Sequence, residues 1–165
     1  EAMNKEGRTF KGVLYFGLMV TQNGVKVIEY NARFGDPETQ VVLPRLKTDL
    51  LEIFEAIVDE RLGDINVEWE DNAAVCVVMA SGGYPKTYQT GYIIHGIDSA
   101  EELGDITVFH AGTKEVNGEI VTAGGRVLGV TALAKDLDNA ISKVYEGVKC
   151  ISYTDMHFRK DIGIK

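Results

Sequence analysis

The segment VKVIEYNARFGDPETQ, residues 25–40, carries the residues best suited to chemistry. Glu29 and Asn31 stand two residues apart on an apolar stretch, with Arg33 two further on and a Gly-Asp-Pro-Glu turn behind them. Residues i, i+2 and i+4 of a strand share one face, so a strand running to Arg33 would aim a carboxylate, a carboxamide and a guanidinium at one spot. Oxygen donors suit Mg²⁺, which keeps few protein ligands and completes its shell with phosphate oxygens and water. A neighbouring arginine suits the phosphate or carboxylate that such a metal bridges. A half-buried strand whose polar residues merely face water would carry the same three residues, so the triplet alone leaves both readings open.

The elements that must position these residues follow from pattern. Residues 12–21 (GVLYFGLMVT) read as an apolar strand, Gln22-Asn23-Gly24 as a turn, and residues 25–33 as the returning strand. Asp36, Pro37 and Glu38 have the types expected of an N-cap and first helical turn. Pro44 interrupts, and a second helix is expected over about 48–62, with Leu50, Leu51, Phe54, Ile57, Val58 and Leu62 as an ordinary core stripe. Residues 62–72 are polar and acidic and read as a linker.

Beyond residue 72 the pattern turns β-rich. Strands are expected over 73–80, 92–95, 106–110, 118–122 and 126–132, with turns at 81–85 and at Gly124-Gly125. Asp136 then caps a helix over 137–151, with Leu137, Ala140, Ile141, Val144, Tyr145 and Val148 on one face. The whole is an α+β chain with a boundary near 66/67.

Composition sets limits. In 165 residues there is 45% apolar content, enough for a real core, and 25 acidic against 17 basic residues give a net charge of −8. No basic stripe exists for nucleic acid. No apolar run nears the roughly 18 residues of a membrane span. Cys76 and Cys150 lie far apart in apolar patterns and read as buried, reduced thiols of a cytoplasmic protein. His95, His110 and His157 lack metal-ligand spacing and read as structural.

The 25–40 segment resembles the metal-binding strand of the ATP-grasp superfamily. The longer string RFGDPETQVVLPRLKTDL is similar to the glycinamide ribonucleotide synthetase (phosphoribosylamine–glycine ligase) family in particular. The blocks GVLYFGLMVT, VMASGGYPKTYQTG, FHAGTK, TAGGRVLGVTA and FRKDIG extend the likeness over nearly the whole chain.

The resemblance implies that residues 1–66 are the C-terminal part of an ATP-grasp lobe, built of antiparallel strands plus helices. Residues 67–165 would be a small mixed β-rich domain with a covering helix. It implies Glu29 and Asn31 as ligands of Mg²⁺ (or Mn²⁺) and ATP as co-substrate. Arg33 would steady the transferring phosphoryl group, while Asp36 or Glu38 meets the substrate amine or ribose hydroxyls and Gly35 lets the backbone approach. Many ATP-grasp enzymes place a further carboxylate twelve residues before the Glu; Gly17 stands there, a small residue as in glycinamide ligases. The small-molecule partners implied are glycine, 5-phosphoribosylamine and ATP. Glu1 in place of Met implies a fragment lacking an N-terminal part of its own chain, and hence no ligation by the isolated chain. On the residues alone two alternatives stand beside this: another ATP-grasp ligase or carboxylase, and a non-catalytic binding or assembly module. SGGYPKTYQTG reads as turn chemistry, Arg126 as either a phosphate contact or a structural pair, and Arg159 as pairing with Asp161 or with the absent part.

Overall fold

A computed structural model describes residues 2–164, which divide into two compact units. The first holds the residues up to Thr39 together with Leu46–Glu70, and the second holds Gln40–Arg45 with the chain from Asp71 onward.

In the first unit a short helix α1 (Ala2–Lys5) precedes an antiparallel hairpin of β1 (Tyr15–Thr21) and β2 (Gly24–Asn31). The turn closes with Gly24 at φ 88°, a left-handed value that suits glycine. The Thr21 hydroxyl donates to the Gly24 carbonyl at 2.8 Å and accepts from the Asn23 amide at 3.2 Å. Pairing runs Tyr15 to Asn31, Phe16 to Tyr30 and Gly17 to Glu29, then shifts at a bulge after Gly17 so that Leu18 meets Val27. Strand pairing ends at Asn31, earlier than the pattern suggested.

Residues 36–38 form a turn rather than a helix start, and helix α2 (Thr39–Val42) begins three residues later. Its first amide, Thr39 N, donates to the Gly35 carbonyl at 3.0 Å, and the Thr39 hydroxyl donates to the same oxygen. Pro44 lies in a single 3₁₀ turn, Leu43–Arg45. Helix α3 (Leu50–Val58) is shorter than expected, capped by Asp49, whose side chain accepts from Leu51 N. Its stripe is not core: only Ala56 is buried, while Leu51 and Val58 are 63% and 64% exposed. The acidic stretch expected as a linker is tied back instead. Lys47 N donates to the Glu68 carbonyl at 3.0 Å, Glu68 N donates to the Thr48 hydroxyl at 2.7 Å, and Leu46 bridges Trp69.

The second unit is a four-stranded sheet ordered β4 (Ile106–His110), β7 (Arg126–Ala134), β3 (Ala73–Ser81), β8 (Met156–Phe158), with every pairing antiparallel. A separate ribbon pairs β5 (Thr113–Val116) with β6 (Glu119–Thr122). Helix α4 (Ile97–Glu101) and strands β5 and β8 are short elements that the sequence pattern did not mark. Residues 92–95 make isolated bridges rather than a strand, Ile93 to Val121 and His95 to Ser152. Helix α5 (Leu137–Cys150) covers the sheet, burying Ala140, Val144, Gly147 and Val148 against β3 and β7. Met79, Val77, Val127, Leu128 and Val130 have no exposed surface. The face opposite α5 receives Gln40, whose carbonyl accepts from the Thr131 hydroxyl at 2.9 Å. Burial pushes the Tyr153 hydroxyl up, and it donates to the Ala80 carbonyl at 3.0 Å. Cys76 is buried and Cys150 only partly so, and neither forms a disulfide. Arg159 and Asp161 pair with each other through two hydrogen bonds, at 2.9 and 2.8 Å.

This packing carries two expectations. Met79→Ala should lower stability by about 2–5 kcal/mol, because it empties a closed site, while the exposed Val58→Ala should change it by less than about 0.5 kcal/mol. Urea denaturation followed by circular dichroism compares the two, and equal costs would contradict the core assignment. The Asp136 carboxylate accepts from the Asn139 amide at 2.9 Å and from its carboxamide, which holds it below the usual carboxylate range. A lowered folded-state pKa stabilises above the unfolded value near 4, and that stability is lost as pH falls through the folded value. Asp136→Ala should therefore lower the urea midpoint at pH 7 and flatten its fall in acid; midpoints identical to wild type at neutral pH would remove the cap from the account.

Candidate functional site

The hairpin register builds the site. Residues directly opposite in an antiparallel pair point to the same side, so Tyr15, Gly17, Glu29 and Asn31 share one face of β1–β2. Phe16 and Tyr30 share the other, their rings in edge contact at 5.1 Å between centroids. The bulge falls after Gly17 and leaves the first face intact. A Cβ on Gly17 would lie 2.9 Å from Glu29 Cγ. The missing side chain is thus the space into which the Glu29 side chain folds. An aspartate at this place would meet Glu29 directly, in distance and in charge.

Glu29 is exposed and Asn31 half-buried, and their donor atoms are all oxygens apart from the Asn31 amide nitrogen. Among the described residues no group of three or more His, Cys, Asp or Glu is placed to hold a metal ion. A carboxylate with one carboxamide fits a hard cation that takes its remaining oxygens from a ligand and water. Mg²⁺ or Mn²⁺ bridged to phosphate is such a cation.

Arg33 departs from the expected geometry. It lies in the bend after Asn31, outside the strand, so period-two alternation does not aim it. Its guanidinium is exposed, and Nη1 donates to the Phe34 carbonyl at 2.8 Å, one of five N–H donors. Asp36 is exposed in the turn that follows, while Glu38 is half-buried and doubles back over Gly35. A Cβ on Gly35 would collide with the Glu38 carboxylate and stand 3.2 Å from Glu38 Cβ. Gly35 is buried, and its bare backbone is what lets the Glu38 side chain lie there.

Tyr15 carries no sequence signal beyond its place two residues before Gly17 in an apolar run. The neighbouring Glu38 carboxylate, then partial desolvation, then the negative charge of Glu29 raise its phenol above the ordinary value. One face of the hairpin thus carries Tyr15, Glu29 and Asn31, with Gly17 opening space, and in the turn beyond it Glu38 lies over Gly35. Asp36 and Arg33 stand on the connecting bend and turn. In the second unit, Ser81 binds the Gly124 carbonyl through its hydroxyl at 2.8 Å, and the Tyr84 ring lies where a Cβ on Gly125 would be. The glycine pair there serves close packing. His110 accepts or donates at Nδ1 with the Thr113 hydroxyl at 2.9 Å, a structural contact.

Family models locate these features. "Phosphoribosylglycinamide synthetase, C domain" matches residues 74–165, and the ATP-grasp (A) domain of the same family matches residues 1–39, which include the hairpin and the Gly35–Glu38 turn. A phosphoribosylamine–glycine ligase of Caldanaerobacter subterraneus subsp. tengcongensis is 51% identical over 98% of this chain and 38% of its own length. The trifunctional purine biosynthetic protein adenosine-3 of Gallus gallus is 51% identical over the whole chain and 16% of its own length. The solved phosphoribosylamine–glycine ligase of Thermotoga maritima superposes with a TM-score of 0.76 at 33% identity, over 96% of this chain and 39% of that one. The chain thus spans about two fifths of the bacterial ligases it matches. With the C-domain match alone covering more than half of its residues, this chain belongs to the phosphoribosylglycinamide synthetase family.

Proposed function

We propose that this chain is part of a ligase that joins glycine to 5-phosphoribosylamine at the expense of ATP, in purine biosynthesis. In that reaction the glycine carboxylate attacks the γ-phosphorus of ATP, releasing ADP and forming glycyl phosphate. The phosphoribosylamine nitrogen then attacks the acyl carbon, phosphate leaves, and the amine loses a proton. The observation that carries the reading is the Glu29–Asn31 face opened by Gly17, set beside the Gly35–Glu38 turn.

Residues 1–66 would be the end of an ATP-grasp domain and 67–165 the carboxy-terminal domain, in a cytoplasmic enzyme; among the described residues no helix is long and apolar enough to cross a membrane. Glu29 and Asn31 would hold Mg²⁺ or Mn²⁺. The bound metal supplies charge neutralisation on the phosphate oxygens, which makes phosphate a competent leaving group. Arg33, on its bend, would turn guanidinium N–H groups toward the phosphoryl group in flight. Asp36 and Glu38 would bind cationic or hydroxyl groups of the substrates, with Gly35 giving the backbone close approach. The ligation needs no nucleophilic side chain.

Within the full-length ligase, Glu29→Gln should cut turnover on the order of 10²-fold while leaving the thermal melt in place. Turnover near wild type at saturating Mg²⁺ would end the metal assignment. The isolated chain, assayed with MgATP, glycine and fresh phosphoribosylamine, should release no ADP above background. Its affinity for MgATP by calorimetry should be no better than millimolar, about −4 kcal/mol, since ATP-grasp sites clasp the nucleotide between lobes. ADP release matching an intact ligase would overturn the division of labour proposed.

A further inference from the structure

Resting on the ligase reading above, we propose that Gly17 is a positioning residue for the metal: its bare backbone lets the Glu29 side chain lean across the hairpin, the posture in which Glu29 and Asn31 hold the cation together. Glycine inside a strand weakens it and packs no side chain, so its place here calls for a reason. Three ordinary reasons are absent. Gly17 is not among the glycines with a left-handed φ, so the backbone at this point accepts other residues. The bulge after it does not demand glycine, because the glycine-dependent bulge puts that residue in the left-handed region. The β2 backbone is no obstacle either, since a Cβ on Gly17 would stand 3.6 Å from Glu29 N and 3.7 Å from Glu29 O, ordinary contacts.

What such a Cβ would collide with is Glu29 Cγ, at 2.9 Å. Directly opposed Cβ atoms in a hairpin stand about 4.5–5.5 Å apart, so a Cγ this close has turned toward β1. The place of Cγ is set by χ1, which has three staggered wells. A methyl at residue 17 closes the well that Glu29 occupies and sends its carboxylate elsewhere. Glu29 is exposed, so other wells are open to it and the strand has no need to break. Asn31 lies on the same face with Tyr15 opposite, two residues from the change, and keeps its place. The substitution thus separates one ligand from the other while leaving both residues unaltered.

The experiment compares Gly17→Ala, Glu29→Ala and the double variant in the full-length ligase that carries this chain. The probe is Mn²⁺ with a non-hydrolysable ATP analogue, and its affinity is read by electron paramagnetic resonance, independently of turnover. Gly17→Ala should keep a wild-type melt and bind Mn²⁺ about ten-fold more weakly, the size expected when a group that orients a metal ligand is lost. The double variant should bind Mn²⁺ no worse than Glu29→Ala alone, because Gly17 acts only through the Glu29 side chain. Unchanged Mn²⁺ affinity in a folded Gly17→Ala protein, or losses that add in the double variant, would each overturn the proposal. If Gly17→Ala does not fold, the double variant decides. Folding regained, with the Mn²⁺ affinity of Glu29→Ala, supports the proposal; failure to fold shows a backbone need for glycine and overturns it. Glu29→Ala separates the two levels: wild-type Mn²⁺ affinity there ends the metal assignment of the ligase reading. A loss there with none in Gly17→Ala ends the Gly17 proposal alone.

Discussion

In the β1–β2 hairpin Gly17 stands directly opposite Glu29, and that one register decides which side chains can meet. A slip of a single residue would turn Glu29 and Asn31 to the side of Phe16 and away from Gly17. The bulge after Gly17 absorbs an extra residue on β2, so the strand ends can pair in one phase and the turn in another. Glycine at the crossing point adds a steric condition, since the Glu29 methylenes fill the volume a side chain would take. In the turn beyond, Gly35 leaves the room in which Glu38 lies.

The second unit meets a different requirement with the same device. Val77 pairs with Val130 and Cys76 with Thr131, so one face of the β3–β7 pair is aliphatic and the other carries a hydroxyl. Helix α5 packs on the aliphatic face, where Gly147 allows approach to within 2.9 Å of Ile106 for an added Cβ. The Thr131 hydroxyl anchors the Gln40 carbonyl on the other face. Buried aliphatic volume dominates here, and the buried polar residues among those described are few. The first unit is the reverse: its hairpin and α3 expose apolar surface, and its organisation rests on backbone pairing and polar contacts such as Lys11 with Glu60 at 2.8 Å.

Electrostatics at the site follow from exposure. Glu29, Arg33 and Asp36 face water, where isolated charge pairs are worth little. Their value is positional, as groups that gain strength when a ligand excludes water around them.

Strongly patterned features were legible in the residues. The apolar runs at 73–81, 106–110 and 126–134 and the Asp136-capped helix follow from periodicity and capping, which are local, and the structure keeps them nearly as read. The pairing of Glu29 with Asn31 on one face follows from period-two alternation, and the family likeness from ordered blocks. The strand ends at Asn31 rather than reaching Arg33, because where a strand ends depends on its partner, and β1 begins at Tyr15. Residues 36–38 form a turn and the helix begins only at Thr39. The α3 stripe reads as core in any helical wheel, yet burial is decided by what else is present to cover it. Sequence determined the elements and the chemistry on each face, because those depend on neighbours a few residues away; only the tertiary structure decided which faces meet, because register, bends and cover depend on residues far apart in the chain.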